Sequence, residues 1–487
     1  MSSTTPVIWC IGGLDTSGGA GIARDATTAS ALSCHAVIVV TTLSAQSNTH
    51  AYTAISLAQH VDAQLRAIAF HFPAAVKIGA VTNNIIPTLT KRLSVLKQQP
   101  GHVPVIWDPV LTSSVGAALS ELSEQSVKQL LTVVDVVTPN YEEMKTLTQQ
   151  TDARAAADWF LTQGAEAVVI KGGHLPDDDA TDQLFTQNLQ WNFSSRRVSG
   201  ELRGTGCMFA TAIACFMAQN YICEDAVCLA KALINKAFKS NRHIDAGSAV
   251  AGSLSWPDSN NDYPAVTQPG QDTPDTAFAA LSHKKPGLYP VVSSCEWLEL
   301  VLKAGVHIAQ LRIKDGATPE LHKQIRQAIA LGKQYNAQVF INDHWQLAIE
   351  FGAFGVHLGQ EDLADADLHA IARTGLRLGI STHGYAEVCR ALTLSPSYIA
   401  LGHVFATQTK MMPSVPQGLK RLARYRQLCG DIPSVAIGGI GPAQVEKVWA
   451  TGVSSVAMVS AITDSPEPSQ TIVEIQHLLG QQGAEND

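Results

Sequence analysis

The sequence runs to 487 residues, 46% hydrophobic and 16% charged, with a formal net charge of −8. Apolar material on that scale excludes a disordered chain and fills more than one core, since single domains settle near ~100–200 residues. The acidic balance, without a long basic run, excludes an electrostatic case for nucleic acid, and no apolar run reaches the ~18 residues of a membrane span. Nine cysteines form no CxxC pair and read as reduced core residues, and the start MSSTTPVIWCIGG lacks the basic region of a signal peptide. The expected location is therefore the cytoplasm and the expected partners are small molecules, not nucleic acid or membrane. Oligomeric state is left open, a homo-oligomer included.

Residues 1–245 alternate apolar runs with amphipathic stretches, the runs being 6–12, 36–42, 74–79, 103–108, 133–138 and 165–171. Runs this apolar fit strands buried on both faces of a parallel sheet covered by helices. Residues 182–199 predict a hairpin or edge pair, and a long helix starts at Gly204. Residues 246–286, rich in Gly, Pro, Ser, Asn and Asp, predict an interdomain linker. Residues 287–487 carry eight further runs, at 287–293, 307–312, 337–343, 354–358, 376–381, 397–402, 433–439 and 454–460. Eight β/α units in this length predict a (β/α)₈ barrel with its chemistry at the C-terminal strand ends.

The first strand runs into GGLDTSGGAG (12–21), and RGTGC (203–207) precedes an apolar helix. Glycines allow sharp turns and close approach to a ligand, and helix-start N–H groups hold phosphate oxygens. TPNYEE (138–143) sets Asn140 and Glu143 three apart after a strand, which suits a magnesium site, a helix cap, or both. With TTLSAQS (41–47), KIG (77–79), DPV (108–110) and KGGH (171–174), this set resembles the ribokinase-like family, and most closely its hydroxymethylpyrimidine/phosphomethylpyrimidine kinases. The resemblance implies a ribokinase-like parallel-sheet sandwich with ATP as co-substrate and Mg²⁺. It implies that Gly13, Asp25 and Gln46 meet the pyrimidine, and that Lys171, Gly204 and Gly206 serve the ATP phosphates. Asn140 and Glu143 would serve the metal, and Cys207, where sugar-kinase relatives carry an Asp base, would face the substrate hydroxyl. Thr16, Ala80 and Met208 depart from the family pattern. A kinase of a pyridoxal-type vitamer and a non-catalytic pyrimidine-binding module are the alternatives for this domain.

In the second domain, QLRIKD (310–315) alternates Gln310, Arg312 and Lys314, which a continuous strand would turn to one face. Cations on an inward face imply a bound anion. IND (341–343) and GVHLGQED (355–362) set Asp343 and Asp362 at neighbouring strand ends, a pairing that suits Mg²⁺. His357 and His383 are expected to be ordinary polar barrel residues. GIS (379–381), TQTK (407–410), IGGI (437–440) and MVSAI (458–462) complete a set that resembles thiamine-phosphate synthase, a TIM barrel. The resemblance implies that Gln310, Arg312, Lys314, Asn342, Ser381 and Lys410 hold a pyrimidine diphosphate and that Asp343 and Asp362 bind Mg²⁺. Thr407, Thr409, Gly439, Val459 and Ser460 would hold a thiazole phosphate.

Overall fold

The computed structural model describes residues 5–46, 51–112, 122–173, 178–198, 200, 202–245, 248–250, 254–314, 318–407 and 415–480. The chain divides into two compact units between Pro269 and Gly270.

The first unit is built on a ten-stranded sheet. Its strands are β1 (Val7–Asp15), β2 (His35–Gln46), β3 (Ala51–Ile55), β4 (Ala75–Ile78), β5 (Val105–Trp107), β6 (Val136–Val137), β7 (Ala167–Ile170), β8 (Asp179–Phe185) and β9 (Gln190–Arg196). A separate hairpin of β10 (Arg242–Asp245) and β11 (Ser248–Val250) follows, and then β12 (Ala265–Thr267) completes the sheet. The order is β12-β9-β8-β7-β6-β5-β4-β1-β2-β3. The central strands are parallel, as the doubly apolar runs require, because helices cover both faces. Trp9, Ile11, Trp107 and Val137 pack into a core with helix residues Leu65, Leu89 and Phe160 on one face. Ile8 and Cys10 alternate to the other face and are equally buried. The strand β3 was not legible in the sequence. It is an antiparallel edge strand with Tyr52 and Ile55 exposed, so it lacks the apolar run that marks a buried strand.

Residues 246–286 do not form a simple linker. The described residues up to 269 belong to the first unit. There β12 pairs with β9, Val266 is fully buried, and Trp256 packs edge-on against Phe216. Asn235 Nδ2 and Lys239 Nζ tie the turn at Asp262 to the preceding helix. From Gly270 the chain belongs to the second unit. Residues 279–282 cross the N-terminal ends of three barrel strands: Ser397 Oγ donates to Ala279 O, Arg377 Nε to Ala280 O, and Ser282 N to Gln338 Oε1. Leu281 packs with Tyr289, Ile308 and Phe340 in the barrel core. These anchors are single apolar or polar residues spaced too widely to register as a periodic element.

The second unit is a closed parallel barrel of β13 (Gly287–Val292), β14 (Ile308–Leu311), β15 (Gln338–Asn342), β16 (Gly355–Leu358), β17 (Arg377–Thr382), β18 (Tyr398–Leu401), β19 (Ser434–Ala436) and β20 (Ser455–Met458). It closes through β13 and β20, with Gly287 opposite Ser455. Large interior rings lie beside glycines. A Cβ on Gly379 would come within 2.2 Å of the Tyr398 ring, and one on Gly355 within 2.5 Å of the Phe340 ring. Large rings on one strand are thus accommodated by glycines on its hydrogen-bonded neighbour.

Candidate functional sites

A cleft of about 1030 Å³ opens over the C-terminal ends of β1, β5, β6 and β7, where open α/β sheets receive ligands. Gly13, Asp25, Asn140, Glu143, Lys171, Gly204, Gly206 and Cys207 all line it. Asp15 organises its glycine-rich rim by accepting from Ser17 N at 3.0 Å, Ser17 Oγ at 2.8 Å and Ala20 N at 3.1 Å. The two glycine-rich stretches meet here although they lie far apart in sequence. Gly204 has φ 75°, and a Cβ on it would sit 2.2 Å from Gly19 O, so only glycine fits. Gly204 caps the helix Thr205–Ala218, placing Cys207 in its first turn.

Burial, with the charges of Asp25 and Asp108 adding to it, pushes the Cys207 thiol up to about 11, beyond what Lys77 and a backbone hydrogen bond at Gly21 return. The thiol is neutral and can donate a hydrogen bond, but it is a poor base. Asn140 and Glu143 form a capping box: Glu143 N donates to Asn140 Oδ1 at 2.9 Å and Asn140 N to Glu143 Oε2 at 2.8 Å. Burial also raises the Glu143 carboxyl, to about 7, against the pull of Lys171. Lys171 Nζ donates to Asp108 Oδ1 at 2.7 Å and lies 3.9 Å from Glu143 Oε2.

Sequence reasoning gave no role to Asp108 or Lys77. Asp108 Oδ2 is buried and, among the described residues, has no hydrogen-bond partner. A buried acceptor of that kind, beside Asn140 and Glu143, is a hard-oxygen donor set that fits Mg²⁺. Lys77 is buried under the cleft and donates to both oxygens of Asp25, at 3.0 and 2.8 Å, while Thr211 Oγ1 donates to Oδ1 at 2.8 Å. Burial drives the Asp25 carboxyl up and the two Lys77 contacts pull it back. Asp25 in turn offsets the burial that disfavours the Lys77 charge, so the two are held as an ion pair. A lysine inside the apolar run AAVKIG was the available signal. The side chain of Gln46 lies outside the described residues; its backbone ends β2 opposite Ala51.

In the barrel, Asp343 and Asp362 converge. The Asp343 carboxyl is raised by burial, then by the charge and hydrogen bond of Asp362, with Arg312 opposing. Asp362 is oriented by Gly359 N, which donates to Oδ2 at 3.0 Å. Two carboxylates sharing one mouth with an arginine fit a divalent cation between protein and anion. The expectation that Gln310, Arg312 and Lys314 share one strand face is corrected: β14 ends at Leu311, so Gln310 is inside the barrel while Arg312 and Lys314 follow its end. Gln310 hydrogen-bonds Tyr289 and Tyr398. Tyr289 Oη and Tyr398 Oη lie 2.6 Å apart, Tyr398 Oη is 2.7 Å from His357 Nδ1, and His357 Nε2 is 2.8 Å from Ser381 Oγ. Burial, with Arg312 adding to it, holds His357 neutral at about 3. His357, expected to be an ordinary polar residue, therefore links the barrel interior to Ser381.

Asn342 is buried at the end of β15. Gly439, φ 65°, presses against the segment before Thr407, since a Cβ there would meet Ala406 O at 2.4 Å. Val459 and Ser460 follow β20, the neighbour of β19. Thr409 and Lys410 lie outside the described residues.

Residues 15–252 match the family model described as phosphomethylpyrimidine kinase, and residues 288–462 match that of thiamine monophosphate synthase. The thiamine-phosphate synthase of Photorhabdus laumondii is 54% identical over 206 residues, covering 42% of this chain and 95% of that protein. Among solved structures, the pyridoxal kinase from Staphylococcus aureus in complex with pyridoxal aligns with TM-score 0.49 and 23% identity over 55% of this chain and 100% of its own. The phosphomethylpyrimidine kinase from Clostridium difficile 630 aligns with TM-score 0.42 and 28% identity over 48% and 99%. The barrel of this chain belongs to the thiamine-phosphate synthase family, and it is joined in one polypeptide to a phosphomethylpyrimidine kinase domain.

Proposed function

We propose that the first unit phosphorylates 4-amino-5-hydroxymethyl-2-methylpyrimidine and then its monophosphate with ATP. The second unit condenses the resulting diphosphate with hydroxyethylthiazole phosphate to give thiamine phosphate and release diphosphate. The observation that carries the reading is the convergence of Asp343, Asp362 and Arg312 at one barrel mouth.

In the kinase cleft, Lys171 meets the ATP phosphates and the N–H groups after Gly204 receive the transferred phosphoryl group. Asn140, Glu143 and Asp108 would hold Mg²⁺, which neutralises charge between phosphates when bound. The neutral Cys207 thiol donates a hydrogen bond to the substrate hydroxyl, whose proton passes to an oxygen of the transferred phosphoryl group as the new O–P bond forms and the bond to ADP breaks. The pyrimidine rests against Gly13 and the Gln46 end of β2. Asp25, committed to Lys77, fixes the floor beneath it.

In the barrel, Arg312, Lys314, Ser381 and Lys410 hold the diphosphate, with Gln310 and Asn342 at the pyrimidine. Asp343 and Asp362 would hold Mg²⁺, which stabilises departing diphosphate charge when bound. An aminopyrimidine supports a methylene cation, so the C–O bond can break before the thiazole nitrogen attacks. The protein then needs no strong base. It needs cations at the leaving group and a thiazole phosphate fixed by Thr407, Thr409, Gly439, Val459 and Ser460 so that its nitrogen lies in line. His357, neutral, neither competes for the diphosphate nor supplies a proton, and it fixes the Ser381 hydroxyl.

The test is a one-pot reaction of pyrimidine alcohol, thiazole phosphate, ATP and Mg²⁺ with two variants. Lys171→Met and Asp343→Ala should each abolish thiamine phosphate formation, and added pyrimidine diphosphate should rescue only the first. Rescue of Asp343→Ala would end this assignment of the barrel site.

A further inference from the structure

Arg390 lies in the helix Tyr385–Leu394, outside the barrel strands, and is buried at 3% exposure. Its guanidinium donates from Nη1 to Gln360 Oε1 at 3.0 Å and from Nε to Gln271 Oε1 at 2.7 Å. Gln360 follows β16, and its Nε2 donates to Ser381 O at 2.7 Å. The Ser381 hydroxyl is held separately by His357. Ser381 is thus gripped twice, at its carbonyl through Gln360 and at its hydroxyl through His357.

The chemistry of this chain runs one way. An arginine can only donate and a main-chain carbonyl can only accept. The residue between them must offer an acceptor on one side and a donor on the other. A glutamine amide does both, and a carboxylate at position 360 would satisfy the arginine and repel the carbonyl. Gln271, on the far side, must likewise present its oxygen. It lies in the segment before β13, so that segment reaches the synthase site through the arginine.

We infer that Arg390 is a positioning residue for the synthase reaction, setting Gln360 so that Ser381 is aimed at the diphosphate, and that Gln271, from the segment of the second unit that precedes β13, completes its orientation. This rests on the reading that Ser381 contacts the diphosphate. Neither Arg390 nor Gln271 touches substrate. A mispositioned serine loses one charge-assisted hydrogen bond to the diphosphate, an effect of about tenfold in KM.

The test measures synthase steady-state kinetics in the full chain for Gln271→Ala, Arg390→Met, Gln360→Glu, Ser381→Ala and the double variant Arg390→Met/Gln360→Glu. The Gln360→Glu chain keeps its contact with Arg390 and should melt at or above the parent temperature, yet it should raise KM for pyrimidine diphosphate about tenfold. The KM for thiazole phosphate should stay unchanged. Gln271→Ala, at a partly buried position, should show a smaller rise in the same constant. The double variant should be no worse than the weaker of its two parents. If Gln360→Glu and Gln271→Ala leave that KM unchanged while Ser381→Ala raises it, the positioning role is overturned and the serine contact stands. If Ser381→Ala itself leaves KM unchanged, the reading of Ser381 fails and the inference fails with it.

Discussion

Replacing Lys77 by methionine keeps the length of the side chain and removes its charge. Asp25 is then left fully buried with one of its three close hydrogen bonds, that from Thr211. Its cheapest response is to take up a proton. For a carboxyl with an unfolded pKa of about 3.9, protonation at pH 7 costs roughly 1.36 × (7 − 3.9), or about 4 kcal/mol. Removal of one partner of a buried ion pair is expected to cost a similar ~3–5 kcal/mol. For a domain of this size that lowers the melting temperature by roughly 6–20 °C. The sign with pH follows from the raised carboxyl pKa in the variant. Its folded state binds the proton more tightly than its unfolded state, so stability is fully present below the unfolded pKa and is lost as pH rises. The deficit should therefore shrink by about 2.7 kcal/mol between pH 7 and pH 5. Differential scanning calorimetry of the full chain, with two transitions for the two units, reads this directly. Only the kinase transition should move, and Lys77→Met with Asp25→Asn should recover most of the loss. A shift of less than ~2 °C, or a deficit that grows on acidification, would refute the ion-pair argument.

Cys207, pushed up to about 11, should react with iodoacetamide at pH 8 about 100-fold more slowly than an ordinary thiol, as read by mass spectrometry; ordinary alkylation would show a thiolate. Asp343 is raised and must be ionised to hold a cation, so the apparent Mg²⁺ affinity of the synthase should fall on acidification earlier than for an isolated aspartate. A flat profile down to the ordinary carboxylate range would contradict this. Val266→Asp places a charge at a fully buried strand position outside the matched kinase region, and should cost the first unit ~3 kcal/mol or more. Unchanged proteolysis between residues 254 and 269 would show that this strand does not contribute.

The barrel was legible because its eight strands are short apolar runs separated by helical stretches, several of them followed by polar or charged residues such as Arg312, Asp343 and Asp362. The kinase sheet was legible for the same reason wherever strands are buried on both faces. What escaped were elements held by isolated residues. The edge strand β3 exposes a large residue on each face, Tyr52 and Ile55, and β12 is three residues long with one buried valine. Site residues with charge in unusual places were visible in kind but not in role. Lys77 and Asp108 stood in recognisable motifs, but whether a buried lysine meets substrate or a carboxylate depends on a partner in a distant helix, which spacing cannot reveal. The face-sharing of Gln310, Arg312 and Lys314 assumed a strand longer than the barrel allows, since β14 has only four residues. The hydrogen-bond chain through Tyr289, Tyr398, His357 and Ser381 draws on four strands, and no linear motif encodes it.

We propose that one chain carries a pyrimidine alcohol through two phosphorylations and one condensation. The most direct test is the product stoichiometry of the purified chain with pyrimidine alcohol, thiazole phosphate, ATP and Mg²⁺, resolved by chromatography. Two ADP and one diphosphate per thiamine phosphate are predicted. ADP formed without thiamine phosphate, or thiamine phosphate formed only when pyrimidine diphosphate is supplied, would contradict it.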